Sequence, residues 1–261
     1  MELIKREIRN CAWKVKNAMQ FTIDDTINVP DSLMDMERLI LVKGNVVIED
    51  AEAMTDRFQV KGSLNYQILY CADKEGTAFD SLVGKVPFVE YINADCTKEG
   101  DYIEVHASLN DLTVTMLHSR KISLKSLVGL DYQVKENEMF EAVTGIEDAP
   151  DAEVLGGNIA MTSLQHQKKE ELQVQEQVEI PANKPNIYQV LYHNIHLQGV
   201  EMRIQEGQIL IRGEMVLFVL YTGDENRGQL QYYEAQQPFH NVIPCNGCQE
   251  NMVLQVEKEK E

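Results

Sequence analysis

Between Phe58 and Tyr70 the chain alternates. Phe58, Val60, Leu64, Tyr66, Ile68 and Tyr70 are apolar, and Gln59, Lys61, Ser63, Asn65 and Gln67 between them are polar. A period of two is the signature of a half-buried strand. Gly62 in its middle marks a bulge or a close backbone contact. Tyr102–Leu109 alternates likewise, with Ile103, Val105 and Ala107 opposed to Glu104, His106 and Ser108. Leu112–Met116 and Ile122–Val134 read as further strands. Polar turns at Asp73-Lys74-Glu75-Gly76 and Lys98-Glu99-Gly100-Asp101 separate these runs. Such strands joined by short turns predict antiparallel sheets folded as a β-sandwich or partial barrel.

The pattern then recurs at a constant offset of 151 residues. Pro30 falls on Pro181, Gly62 on Gly213, Tyr70 on Tyr221, Asp73 on Asp224, and Pro87-Phe88 on Pro238-Phe239. A single identity arises by chance about once in twenty positions; an ordered series in one frame does not. The apolar positions travel with it, as in Val60 with Ile211, Leu64 with Met215 and Ile68 with Val219. Upstream, Phe21, Ile23, Ile27 and Val29 match Leu172, Val174, Val178 and Ile180, so each unit begins with an extended lead-in to its proline. After Pro30, Leu33, Met36, Leu39 and Ile40 lie at helical spacing, with Asp31 or Ser32 as cap, and predict a short helix. Ile187, Val190 and Leu191 are the counterparts after Pro181.

The repeat predicts an all-β chain of two tandem units. The first spans 1–135, an acidic linker rich in small residues spans 136–157, and the second unit spans 158–261. The units differ in two ways. In Ile209–Tyr221 the off-face positions include Leu210, Val216, Phe218 and Leu220, where the first unit has Gln59, Asn65, Gln67 and Leu69. A strand apolar on both faces is buried on both, by a thicker core or by another domain or subunit. Those four residues are the candidate interaction surface. In addition, Glu261 aligns with Asn110, so the second unit lacks counterparts of the 41 residues Asp111–Asp151 and is expected to be truncated, with an open edge.

Composition narrows the function. Forty-two acids against 24 Lys plus Arg give a net charge of -18, without the basic face that a nucleic-acid binder needs. No apolar run approaches the ~20 residues of a membrane-spanning helix. The N-terminus lacks the apolar core of a signal peptide. A cytoplasmic protein with mostly reduced thiols is the expectation, and five cysteines do not suggest a disulfide scaffold.

Candidate chemistry is sparse. Cys245-Asn-Gly-Cys248 has the thiol spacing of a zinc knuckle, but zinc takes four ligands and no second CxxC follows. His193, His196 and His240 are the available imidazoles. A metal site, a disulfide and a plain turn all fit the pair; Ala94 and Thr97 hold the aligned positions of the first unit. No GxSxG, GxGxxG or GxxxxGK[ST] occurs. Pro30, Gly62, Tyr70, Pro87, Phe88 and their counterparts Pro181, Gly213, Tyr221, Pro238 and Phe239 recur in both units. They are read as fold anchors rather than a catalytic set.

The order of these anchors resembles the SipL-type SPOCS domain of spore-forming Firmicutes. It reads NVPDSLMDMERLI…VKGSLNYQILYCAD…KVPFVEYI, and again EIPANKPNIYQVL…IRGEMVLFVLYTGD…QPFHNVI. The resemblance implies a non-enzymatic spore-coat assembly factor without a cofactor, acting in the mother cell at the forespore or coat surface. Its implied partners are coat morphogenetic proteins such as the ATPase SpoIVA, or a second copy of the chain. Relatives end in a LysM module that contributes to SpoIVA binding; these 261 residues carry none. The competing classes are a metal- or redox-dependent module centred on Cys245 and Cys248, and a carbohydrate-binding β-sandwich.

Overall fold

The computed structural model describes residues 2–95, 97–147, 155–160, 162–168, 170, 172–224 and 229–256. These form the strands β1 (Glu2–Asn28), β2 (Arg38–Met54), β3 (Arg57–Cys71), β4 (Phe79–Asn93), β5 (Tyr102–His118), β6 (Lys121–Glu147), β7 (Ile187–Gln205), β8 (Gln208–Gly223) and β9 (Leu230–Pro244). All pairing is antiparallel, in three sheets of order β1-β6-β5, β2-β3-β4 and β7-β8-β9. The all-β expectation holds.

The first two sheets share one core. The inward residues of β3, Phe58, Val60, Leu64, Ile68 and Tyr70, are fully buried together with Ile122, Leu124, Val128, Leu130 and Val134 of β6. Aromatic rings pin the layers together. Phe58 meets Tyr132 edge-on at 4.9 Å, and Phe21 of β1 lies 5.0 Å from Phe88 of β4. Along one side β5 runs beside β2. A Cβ on Gly44 would stand 2.7 and 2.8 Å from the methyls of Leu112 and Leu109, so those two side chains pack directly over the bare backbone of the glycine.

Three expectations need correction. No helix follows Pro30 or Pro181 among the described residues. The Leu33 N–H donates to the Pro30 carbonyl at 3.0 Å, closing a single turn, and Lys184 does the same to Pro181 at 2.9 Å. Met36 is buried in that loop, Leu39 is already in β2, and Ile40 is an extra residue between Leu39 and Leu41, which pair with Tyr70 and Leu69. One bulged residue breaks the period of two, and turn plus bulge together imitated helical spacing. Asn110 likewise interrupts pairing between Leu109 and Asp111, so the two strands expected over Tyr102–Met116 are one. Residues 136–147, taken as the start of a linker, continue β6 as a ribbon with β1, pairing Glu2 with Glu147 and Ala12 with Glu136. Residues 148–154 of the expected linker lie outside the described residues.

The third sheet copies the second. Phe58↔Ile92, Gly62↔Phe88 and Tyr70↔Asp80 in β3–β4 become Ile209↔Ile243, Gly213↔Phe239 and Tyr221↔Gln231 in β8–β9. The Ile40 bulge recurs at Leu191, and the irregularity at Glu49 recurs at Gly199 and Val200. The second layer is where the copies part. The lead-in 172–180 has no strand pairing, and neither does 253–256, the counterpart of the start of β5. In the first unit both segments are held by β6, which lies between β1 and β5.

Candidate interaction site

The repeated anchors explain why two different sequences adopt one register. A Cβ on Gly62 would lie 2.6 Å from both Phe88 Cζ and the Val47 carbonyl oxygen. On Gly213 it would lie 2.9 Å from Phe239 Cε1 and 3.1 Å from the Gln198 carbonyl oxygen. Each phenylalanine covers the glycine opposite it, which locks strand against strand. Pro87 and Pro238 sit in the edge strands β4 and β9, where a missing N–H costs no ladder bond. The Tyr70 hydroxyl donates to the Met34 carbonyl at 2.8 Å, and Tyr221 donates to Pro185, the residue aligned with Met34, at 3.2 Å. Burial, and then the Asp80 carboxylate, push the Tyr70 hydroxyl far above its ordinary range, so it stays a donor.

Single-copy features then separate the units. Arg120, in the β5–β6 turn, donates to the Pro30 and Leu33 carbonyls at 2.9 and 3.1 Å and pairs with Asp35 at 2.6 Å. Its charge is held on above the usual guanidinium range by that Asp35 bond, and Asp35 is correspondingly lowered. Lys135 of β6 meets Glu104 of β5 at 2.7 Å, both side chains nearly buried. The second unit has Gln255 where the first has Glu104, and nothing among its described residues replaces Arg120 or β6.

The Cys245/Cys248 pair forms a disulfide across a turn, with Cα atoms 5.6 Å apart. Of the metal site, disulfide and plain turn that the spacing left open, the structure has the disulfide. The turn itself belongs to the fold: Cys245 N–H donates to the Gly207 carbonyl at 2.9 Å and Gly207 N–H to Cys248 at 3.0 Å. In the first unit Ala94 and Asp56, and Asp56 and Thr97, make the same bonds at 3.1 and 3.0 Å. Gly207 and Asp56 both have positive φ, 75° and 58°, and only at the glycine is that conformation free of strain. His166 approaches Gly247, but the described residues hold no group of three or more potential metal ligands. Cys71 is buried with its Sγ 3.1 Å from the Asp73 carbonyl, and Cys96 lies outside the described residues.

The four residues of the expected interaction surface do not make one patch. All are half-buried. Phe218 lies 6.1 Å from Tyr192 and 6.3 Å from Tyr232, and Leu220 pairs with the same two tyrosines across the sheet. Leu210 is cut off from them by Arg212, paired with Glu201 at 2.6 Å, and by Glu214 on the same face. The β7 side of that face meets the first unit. Lys43 of β2 donates to Asn194 and lies 5.7 Å over the Tyr192 ring. Gln189 donates to Asp80 at 2.7 Å. With its amide oriented to satisfy both neighbours, Gln67 donates to the His193 carbonyl and accepts from the His193 N–H, each at 3.2 Å. A side-chain amide thus closes part of the open edge of β7. Sequence offered one clue to this contact: Gln67 is a polar residue facing away from the core of its own sheet.

The opposite face of the β7–β8–β9 sheet carries Ile209, Ile211, Met215, Leu217, Val219 and Tyr221. These align with the β3 core residues. Ile211, Val219 and Tyr221 are buried, while Ile209, Met215 and Leu217 remain partly open.

No curated protein and no solved structure matches the chain. The family model described as SipL, SPOCS domain, matches residues 35–117 and 186–261. The two segments begin 151 residues apart, just ahead of β2 and β7, so the match and the structural repeat share one frame. The chain belongs to the SipL family, whose SPOCS domain it carries twice.

Proposed function

We propose that the protein is a non-enzymatic assembly element of the spore coat, acting by protein–protein association in the mother cell at the forespore or coat surface. Coat morphogenetic proteins such as SpoIVA are its proposed partners. Family membership supports a role linked to sporulation. The observation that carries the association is the sheet of the second unit, apolar on both sides, with no second sheet against it among the described residues. Apolar faces of this kind are stable in water when another chain covers them. Val216, Phe218 and Leu220, with Tyr232, form the proposed contact on the off-face, away from the β7 side that meets the first unit.

The test joins location to binding. A fluorescent fusion should gather at the forespore surface during sporulation, and the purified chain should retain coat morphogenetic proteins on a column. Phe218→Asp should lose that retention while keeping the β-sheet circular dichroism of the parent. A fusion that stays diffuse, or a folded Phe218→Asp chain that binds as well as the parent, would overturn the proposal.

A further inference from the structure

The Cys245–Cys248 disulfide is not what shapes its turn. Three backbone bonds do that: Cys245 N–H to the Gly207 carbonyl at 2.9 Å, Gly207 N–H to the Cys248 carbonyl at 3.0 Å, and Cys248 N–H to the Cys245 carbonyl at 3.0 Å. The first unit makes all three, Ala94 to Asp56, Asp56 to Thr97 and Thr97 to Ala94, at 3.1, 3.0 and 3.2 Å. It has no sulfur at either aligned position, so the same turn forms without a sulfur–sulfur bond. Nor is the bond an effective staple. It joins residues with a sequence separation of 3, and a cross-link restrains the unfolded chain less the shorter the loop it closes. A turn that survives reduction keeps the two thiols together, their Cα atoms 5.6 Å apart, inside the range from which a disulfide closes. The two sulfurs also differ in access. Cys245 is half-buried, whereas Cys248 is 6% exposed. Cys71 offers the contrast of a structural thiol: it is 1% exposed and donates to the Asp73 carbonyl.

We propose that Cys245 and Cys248 form a thiol–disulfide exchange site whose substrate is an external thiol. The incoming thiolate attacks Cys245 Sγ, the more open sulfur. A bond forms between the incoming sulfur and Cys245, the Cys245–Cys248 bond breaks, and the electron pair leaves on Cys248 Sγ, which takes a proton from water. Two exits follow. Cys248 as thiolate attacks Cys245 and expels the external thiol, which restores the disulfide. Otherwise a second external thiolate attacks the first, and the pair leaves on Cys245; two external thiols are then oxidised to a disulfide, and the protein disulfide is reduced by two electrons to a dithiol. Such exchange depends on which sulfur is attacked and on access to it, and the unequal burial of the two cysteines sets both. The chemistry is the same for a small thiol and for a cysteine of another protein. The site stands independently of the association reading above.

The probes are reduced glutathione, a small thiol, and thioredoxin, a protein dithiol, each added to the oxidised whole chain. Alkylation of free thiols and mass spectrometry of the peptides give the readout. Cys245 and Cys248 should become labelled together while Cys71 does not change, and oxidised glutathione should reverse the labelling. Hydrogen exchange along β8 should be the same in both states; loss of protection on reduction would make the bond a staple and overturn the proposal. Cys248→Thr, which installs the first unit's residue, should hold one glutathionyl group on Cys245. Cys245→Ala should take up roughly tenfold less on Cys248, because burial hinders attack there. Equal uptake by the two variants would overturn the assignment of Cys245 as the sulfur attacked. The double variant Cys245→Ala, Cys248→Thr should fold like the parent by circular dichroism; failure of any of the three to fold would show that the turn needs its sulfurs and overturn the proposal. Reduction by thioredoxin alone assigns the exchange to a protein thiol, reduction by glutathione alone to a small one, and reduction by neither overturns it. If exchange holds while the fluorescent fusion stays diffuse, the spore-coat reading fails and the exchange site stands.

Discussion

The β2-β3-β4 and β7-β8-β9 sheets are the same object in two surroundings. The pairing register, the bulges at Ile40 and Leu191 and the Gly–Phe lock agree at the aligned pairs described above. What differs is the second layer. In the first sheet Phe58, Val60, Leu64 and Ile68 are 0% exposed; in the second, only Ile211 and Val219 of the aligned residues are buried. Register is therefore a local property, set by which side chain faces which across two strands. Burial is supplied from outside the sheet. Two sheets of equal geometry should consequently differ in stability, because hydrophobic stabilisation scales with apolar area removed from water.

The sharpest way to break this comparison is to truncate one inward position in both units. Phe58→Ala should cost about 3–5 kcal/mol, whereas Ile209→Ala, at a half-open position, should cost roughly 1 kcal/mol. Trp13, the single tryptophan, stands on β1 and reports unfolding of the first unit by fluorescence in urea. Hydrogen exchange reports the second. Equal losses would show that the second sheet is covered after all.

Gly62→Ala and Gly213→Ala come next. The new methyl meets both an aromatic ring and a backbone oxygen at 2.6 Å in the first unit, and looser neighbours in the second. Overpacking of this kind costs about 1–3 kcal/mol, and the Gly62 variant should lie at the upper end. A smaller pair of effects is expected from Tyr70→Phe and Tyr221→Phe. Losing a partly buried hydroxyl bond costs about 1 kcal/mol; the 2.8 Å bond of Tyr70 should matter more than the 3.2 Å bond of Tyr221. Urea midpoints at matched slopes measure both.

The smallest effect is a pH dependence confined to the first unit. The Asp73 carboxylate is held far below its usual range, first by the Thr77 hydroxyl and then by backbone N–H groups of Thr77 and Ala78. A depressed folded pKa stabilises above the unfolded value near pH 4, and the contribution is lost as pH falls. Asp73→Asn should therefore lower the urea midpoint of the first unit at pH 7, and the gap to the parent should narrow as the solution is acidified toward pH 2. A gap that widens on acidification would remove the carboxylate from the account.

Much of the fold was legible because its determinants are local. The alternation at Phe58–Tyr70, the turns at Asp73 and Lys98, and the anchors Pro30, Gly62, Tyr70 and Phe88 each act across one turn or one strand pair. The bulge at Ile40 was illegible: an extra residue leaves no mark except a disturbed period, and a disturbed period of two resembles a helix. Arg120 carried no signal either, since a guanidinium that caps two carbonyls in a distant loop looks like any surface arginine. The contact of Gln67 with His193 joins residues 126 apart; the sequence shows that Gln67 faces away from its own core but not what it meets there.

The sequence by itself determined the all-β class, the strands with clean alternation such as Phe58–Tyr70, and the recurrence of one unit at a 151-residue interval, because alternating polarity acts between neighbours. Only the tertiary structure decided which faces are covered. It paired β1 with β6 across the four strands between them and seated Lys43 and Gln67 on β7. Covering a sheet depends on what a second, distant element offers, and that element lies outside the sequence of the sheet it covers.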